Sequence, residues 1–390
     1  MDMEPSSSHI SQGVADTDSS RQRSTSPQSV ISTRSLDSQD LTFVEAHGRT
    51  YANDKYYMPC DSPEQTRLGL LHHVYSSSLG GSLTTAPISE DVQRILEVGA
   101  GPGDWAIAMA ERHPDTEIVA VDVAVWDLEG DRDLPNNIIW EIDDLDVFPV
   151  DDEDTETEKK GPSSGSAATP LTSIRTNEWT FTEPFDFIHI RGMKGAFRSW
   201  PTVYQEAFKA LLPGGYIEVV DFDLTTIHTL HNTQLGRMLV ALRQATEQSG
   251  YPLTGTHMEK ATFDSAGFIE YRVRTVNVPF RIAQLNDAET TIGKLWLVIF
   301  MEGLEATNLR LLTEYAGWTA EQVREGCDKV REEFKAGYHD EMNTALRYVV
   351  ARKPGGDGSE QEGTLSEVGL EMEVDTHIIA ASDTDTMQVD

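Results

Sequence analysis

Three glycines at alternate positions, Gly99, Gly101 and Gly103, interrupt the run RILEVGAGPGDW at 94–105, where an apolar stretch gives way to an amphipathic one. Glycine at such a place clears side chains from a ligand's path and permits the turn. A helix starting near Asp104 presents unpaired N–H groups at its first turn, an end that suits a phosphate. The spacing is G-x-G-x-G, however, and Asp104 stands where the dinucleotide fingerprint needs its third glycine. An acid there opposes phosphate and suits an uncharged or cationic nucleoside.

More acids follow at the right places. Asp122 ends the run EIVAVD, where a carboxylate can take both hydroxyls of a ribose. Asp143 and Asp144 close the next apolar run, where an acid can meet an adenine amino group. With Glu97 and Asp104 they surround one ligand with negative charge, a field that favours a sulfonium carrying an α-amino group. These residues read as a site for S-adenosyl-L-methionine rather than NAD. Gly99, Ala100, Gly101, Gly103, Asp122 and Val123 are its nearest set, with Asp143 and Asp144 on the base side. His189 and Arg191 end a later strand, on the side where ligands bind in such sheets. His189 is a candidate general base for a hydroxyl or amine, although a core or donor-lining histidine is the stronger reading. Arg191 is a candidate ion-pair partner of Glu218 or Asp221. His228 and His231 are further candidate bases.

The elements that must position these residues alternate. Short apolar runs at 94–99, 117–122, 138–143, 185–190 and 215–220 predict strands, and 104–112, 200–211 and 232–248 predict helices. That order indicates a parallel sheet covered on both faces. The runs 268–279 and 344–352 predict two more strands, and 288–337 has helical periodicity suited to a lid. Leu212-Pro213-Gly214-Gly215 reads as a helix stop. Residues 150–177, acidic and then rich in Gly, Ser, Ala and Thr, predict an inserted surface loop.

Composition bounds the function. The chain has 390 residues and a formal charge of −34. The acidity is concentrated: 143–160 holds nine acids against two lysines, and 354–390 holds ten acids with no Lys or Arg. Such a chain is repelled by nucleic-acid phosphates. Residues 1–40, with twelve serines and few large apolar side chains, predict a disordered tail, as does 354–390. Cys60 and Cys327 offer neither a disulfide framework nor metal spacing. The polar start is unlike a secretory signal, and no apolar run is long enough for a membrane. A soluble protein of a reducing compartment, cytoplasmic or nuclear, is expected.

LEVGAGPGDWAIAMA resembles the cofactor loop of class I methyltransferases, and two further blocks narrow the resemblance to the fungal branch that includes the LaeA-like regulators and secondary-metabolism methyltransferases. HGRTYANDKYYMPCDSPEQTRLGLLHHVY at 47–75 is similar to that branch's leader, with Tyr51, Tyr57, Pro59, Asp61, Glu64, Arg67 and His72 in place. FDFIHIRGMKGAFRSWPTVYQEAFKALLPGGYIEVVD at 185–221 is similar to the block after its fourth strand. The resemblance implies an α/β, Rossmann-like seven-stranded fold over 43–353, a helical cap at 285–340, and disordered termini at 1–42 and 354–390. It implies S-adenosyl-L-methionine as cofactor, with the leader closing over it through Tyr57 and Arg67. The acceptor would be a small molecule; a regulatory protein with partners bound through the tails, and a protein methyltransferase, are the other readings. Ala124-Val125-Trp126-Asp127 departs from the branch's Ser-Pro-x-Gln-like turn. Locally, Asp61 can cap a helix, Pro63 fits its first turn, and Glu64 would complete a capping box.

Overall fold

The computed structural model describes residues 43–128, 134–147, 178–223, 230, 232–280, 287–339 and 342–355. The expected tail at 1–42, all of the 150–177 insertion, all but the first two residues of the expected tail at 354–390, His228 and His231 lie outside the described residues.

A short hairpin, β1 (Val44–Ala46) and β2 (Arg49–Tyr51), precedes helix α1 (Ser62–Ser78). Then come β3 (Arg94–Val98), α2 (Asp104–Arg112), β4 (Glu117–Asp122), β5 (Ile138–Ile142), β6 (Phe185–Arg191), α3 (Trp200–Ala210) and β7 (Leu211–Asp223). The remaining elements are α4 (Gln234–Ser249), α5 (Lys260–Ala266), β8 (Ile269–Pro279), α6 (Asp287–Tyr315), α7 (Ala320–Lys335) and β9 (Asn343–Arg352). Seven strands form one sheet in the order β5-β4-β3-β6-β7-β9-β8. All pairs are parallel except those of β9, which runs antiparallel to both neighbours. The seven expected strands are all present. The helix expected to stop before Leu212–Gly215 ends at Ala210, and those four residues already belong to the start of β7, where pairing with β6 is irregular.

Alternation along the strands decides which chemistry faces which layer. Leu96 and Val98 of β3, with Ile188 and Ile190 of β6, pack under α3 and α5 against Tyr204 and Phe263. Ile95 and Phe187 face the other side, with Trp105 and Met109 of α2. On that side α1 and α6 cover β7, β9 and β8 through Val74, Trp296, Val220 and Leu346. A second apolar body joins α4, α6 and α7 around Met238, Leu309 and Val330. The expected lid is thus two helices, broken at Gly317 (φ 69°) and restarted by a Thr319–Gln322 capping box.

Asp61 caps α1, accepting the Glu64 N–H at 3.2 Å, and also takes the Arg49 guanidinium at 2.6 and 2.8 Å. The expected capping box is only half made. The Glu64 side chain turns away from the cap to Arg67, at 2.6 and 2.8 Å.

Candidate active site

The glycine loop is built by backbone bonds to β4. Gly99 and Ala100 both donate to the Val121 carbonyl, at 2.9 and 3.0 Å. Gly101 donates to Asp122 Oδ2 at 2.7 Å, and Ala124 donates to Oδ1 at 2.7 Å. Burial raises the Asp122 carboxyl above its usual range, against the pull of those two N–H groups. At Gly99 (φ 73°) a Cβ would lie 2.1 Å from Met193 Sδ, so the methionine would have to move. At Gly103 (φ 79°) a Cβ would press on the Trp140 ring at 2.2 Å. Conformation asks for glycine at both, and the flat ring adds a packing demand at Gly103.

Two cavities meet at this loop. The larger, ≈ 280 Å³, is lined by Gly99, Ala100 and Gly101 on the loop side, together with Asp104, Asp122 and Trp126. Tyr57, Arg67 and Arg191 line it from the leader and β6. The smaller, ≈ 50 Å³, is lined by Val123, Asp143, Asp144, Phe197 and Tyr251. Gly99, Asp122 and Met193 line both. Burial also raises the Asp143 carboxyl. Tyr57 is buried and donates to the Lys194 carbonyl at 3.2 Å. The leader does close over the cavity: Leu68, Leu71, His72 and Tyr75 of α1 form part of its wall.

Three expected site residues are elsewhere. Gly103 sits behind the cavity, at the N-cap of α2. Glu97 and His189 line neither cavity, because both point from the sheet toward α2 rather than along the strand ends. In register, Glu97 of β3 neighbours His189 of β6, which neighbours Glu218 of β7. His189 Nε2 is 3.6 Å from Glu218 Oε2, and Nδ1 is 4.0 Å from Glu97 Oε1. Thr85 holds Glu218 Oε1 by its N–H and hydroxyl, at 2.7 and 2.6 Å. Burial pushes Glu97 up to about 8 and holds His189 well below 6.5, so that these two carry little charge near neutrality. The imidazole that does reach the cavity is His72, whose Nδ1 lies 3.4 Å from Arg191 Nη1. Arg191 pairs with neither Glu218 nor Asp221; its guanidinium lies 4.6 Å over the Tyr75 ring.

Sequence reasoning expected the 288–337 lid but missed what α4 adds to the far wall. Leu235, Met238 and Leu242 of α4 line the larger cavity together with Trp296, Phe300 and Leu304 of α6. Their helical spacing is visible in the sequence, but the same spacing describes any buried helix. It also missed Lys194, whose N–H donates to Asp221 Oδ2 at 2.9 Å and whose Nζ donates to the Phe222 carbonyl.

Residues 71–269 match the methyltransferase domain family, slightly more than half of the chain. The chain belongs to that family. Its seven-stranded sheet with one reversed strand is the class I, S-adenosylmethionine-dependent fold that the cofactor loop implied. It is an enzyme of that class, and S-adenosyl-L-methionine is its cofactor. The residues present fit the group: a half-buried carboxylate at the end of β4, a loop free of side chains, and acids bordering both cavities.

Methyltransferase pytC of Aspergillus terreus is 28% identical over 332 residues, covering 82% of this chain and 91% of pytC. Protein-methionine methyltransferase laeA of Emericella nidulans is 26% identical over 332 residues, covering 82% of this chain and 79% of its own. Among solved structures, a Haemonchus contortus phosphoethanolamine N-methyltransferase 2 in complex with S-adenosylhomocysteine is 13% identical, with a TM-score of 0.38. That alignment takes in 77% of this chain, which spans 60% of that protein's length. Among the described residues no group of His, Cys, Asp and Glu could hold a metal, and no helix is long and apolar enough to cross a membrane.

Proposed function

We propose that this methyltransferase acts on an oxygen or nitrogen of a small molecule, in fungal secondary metabolism. The observation that carries the reading is the far wall of the cavity. It is apolar and aromatic, built by α4 and α6, and it faces the glycine loop across one continuous space. A cavity of ≈ 280 Å³ is near the lower end of the usual range for small-molecule sites, roughly 300–1,000 Å³. A protein substrate would call for an open groove.

In this reading Asp122 holds the ribose, and Asp143, Asp144 and Val123 border the base. Gly99, Ala100 and Gly101 let the donor lie against backbone, and Gly103 sets the turn that starts α2. Asp104 faces the α-amino group, and Arg191 faces the carboxylate. Tyr57 and Arg67 close the leader over the donor. The cofactor supplies a methyl group already activated on a sulfonium. The chain's own work is alignment and exclusion of water, so the wall and the leader matter more than a dedicated base. The catalytic unit is 43–353, and the enzyme works in the cytoplasm or nucleus.

The names of the LaeA relatives favour a second reading, a regulator or protein methyltransferase with partners bound through the tails. One experiment separates them. The full chain is titrated calorimetrically with S-adenosylmethionine and S-adenosylhomocysteine, then incubated with methyl-labelled donor and fungal extract. Micromolar binding with label in the solvent-extractable fraction supports the small-molecule reading. Label confined to precipitated protein overturns it, and absence of binding overturns the donor site.

A further inference from the structure

The acceptor side of the cavity carries three buried polar groups that the donor does not account for. Tyr75 Oη, Trp296 Nε1 and Asn308 Oδ1 have no hydrogen-bond partner among the described residues. Each belongs to a residue that lines the larger cavity, and the three residues are 4%, 6% and 6% exposed. A buried polar atom without a partner costs about 1–3 kcal/mol. Three around one space point to a ligand that completes them.

Their chemistry restricts that ligand. Trp296 Nε1 can only donate. The Asn308 amide is oriented by its own helix: Nδ2 donates to the Leu304 carbonyl at 2.8 Å, which leaves Oδ1, an acceptor, unpaired on a residue that lines the cavity. Tyr75 is held protonated by burial and nearby Asp221. Its ring is 5.7 Å from Phe222, and Phe222 stacks on Trp296 at 3.9 Å and 22°. Trp296, Phe300, Leu304 and Asn308 recur every four residues along α6 and all line the cavity. The twelve-residue interval spans roughly 18 Å at 1.5 Å per residue. Between the ends the surface is apolar, and the nearby Arg67 charge is already taken by Glu64. An acceptor bearing a charge in that stretch would be desolvated without compensation.

We propose that α6 forms a specificity subsite for an uncharged, elongated, largely aromatic acceptor that is polar at both ends. One end accepts from Trp296 Nε1, and the other donates an O–H or N–H to Asn308 Oδ1. Tyr75 Oη meets the acceptor where the aromatic wall approaches Arg191. This rests on the small-molecule reading above and narrows its substrate class.

The test is calorimetric titration of the full chain with three probes, each with and without S-adenosylhomocysteine. They are 7,4′-dihydroxyisoflavone, the parent isoflavone without hydroxyls, and naphthalene-2-carboxylate. The dihydroxy compound is expected to bind at least about ten-fold tighter than the other two. Asn308→Leu should remove most of that advantage while leaving the parent compound and S-adenosylhomocysteine unchanged. Trp296→Phe, which keeps the stack on Phe222, should do the same. Equal affinity for the two isoflavones, tighter binding of the carboxylate, or no isoflavone binding to a folded chain overturns the subsite. Loss of S-adenosylhomocysteine binding alone overturns the donor assignment and leaves the subsite standing.

Discussion

The imidazole of His189 lies flat on the indole of Trp105, ring centroids 3.8 Å apart and planes 5° from parallel. The stack fixes His189 in the layer between the sheet and α2, where it lines neither cavity. The histidine near the end of the fourth parallel strand is thus packed in the core, and Glu97 and Glu218 flank it in the same row.

His189→Ala is expected to lose roughly 3 kcal/mol of stability, the cost of the void left beside Trp105. The methyl-transfer rate of the folded enzyme should change less than about three-fold. Chemical denaturation and single-turnover labelling measure the two separately. A hundred-fold slower transfer with unchanged stability would make His189 the base after all.

Glu97 gives the fold a pH dependence. Its folded carboxyl is pushed to about 8, from 4.5, chiefly by burial. The folded state thus keeps a proton that the unfolded chain has released, so stability declines as pH rises from about 4.5 and levels off above about 8. Glu97→Gln should flatten that slope and gain a few kcal/mol at pH 8, with little change at pH 4.5. Melting curves across that window check it, and parallel wild-type and variant curves would refute it.

Asp122→Asn keeps one acceptor where two N–H groups, of Gly101 and Ala124, need one each. One is left unpaired, at about 1–3 kcal/mol, and the charge that would face the ribose is lost. S-adenosylhomocysteine affinity should fall about ten- to hundred-fold by calorimetry. Unchanged affinity would remove Asp122 from the donor site.

Glu64 and Arg67 form a bidentate pair with side chains only 3% and 13% exposed. Glu64→Gln leaves the guanidinium buried with a weaker partner and should destabilise by roughly 3 kcal/mol, while Glu64→Leu with Arg67→Met should recover much of that. A double variant no better than the single one would show that the charge itself is needed in the cavity wall.

The sequence by itself determined the strand and helix order, the glycine turn and the acids at the ends of β4 and β5. Those are local properties: periodicity, a turn only glycine tolerates, and charge at a strand terminus. It also located the leader helix through Asp61 and Pro63, although Glu64 satisfied Arg67 instead of the cap. Which face of a strand each residue took was decided by the tertiary structure. Glu97 and His189 stand one and two positions from residues that reach the cavity, Val98 in the smaller one and Arg191 in the larger. One step along a strand reverses a side chain, as from Glu97 to Val98, and two steps carry it back from the strand end on the same face, as from Arg191 to His189, so spacing alone cannot tell a ligand's neighbour from a core residue. The far wall of the cavity was likewise out of reach, because Trp296 and Asn308 come to one cavity with Tyr75 only when α6 folds across α1, more than two hundred residues away in the chain.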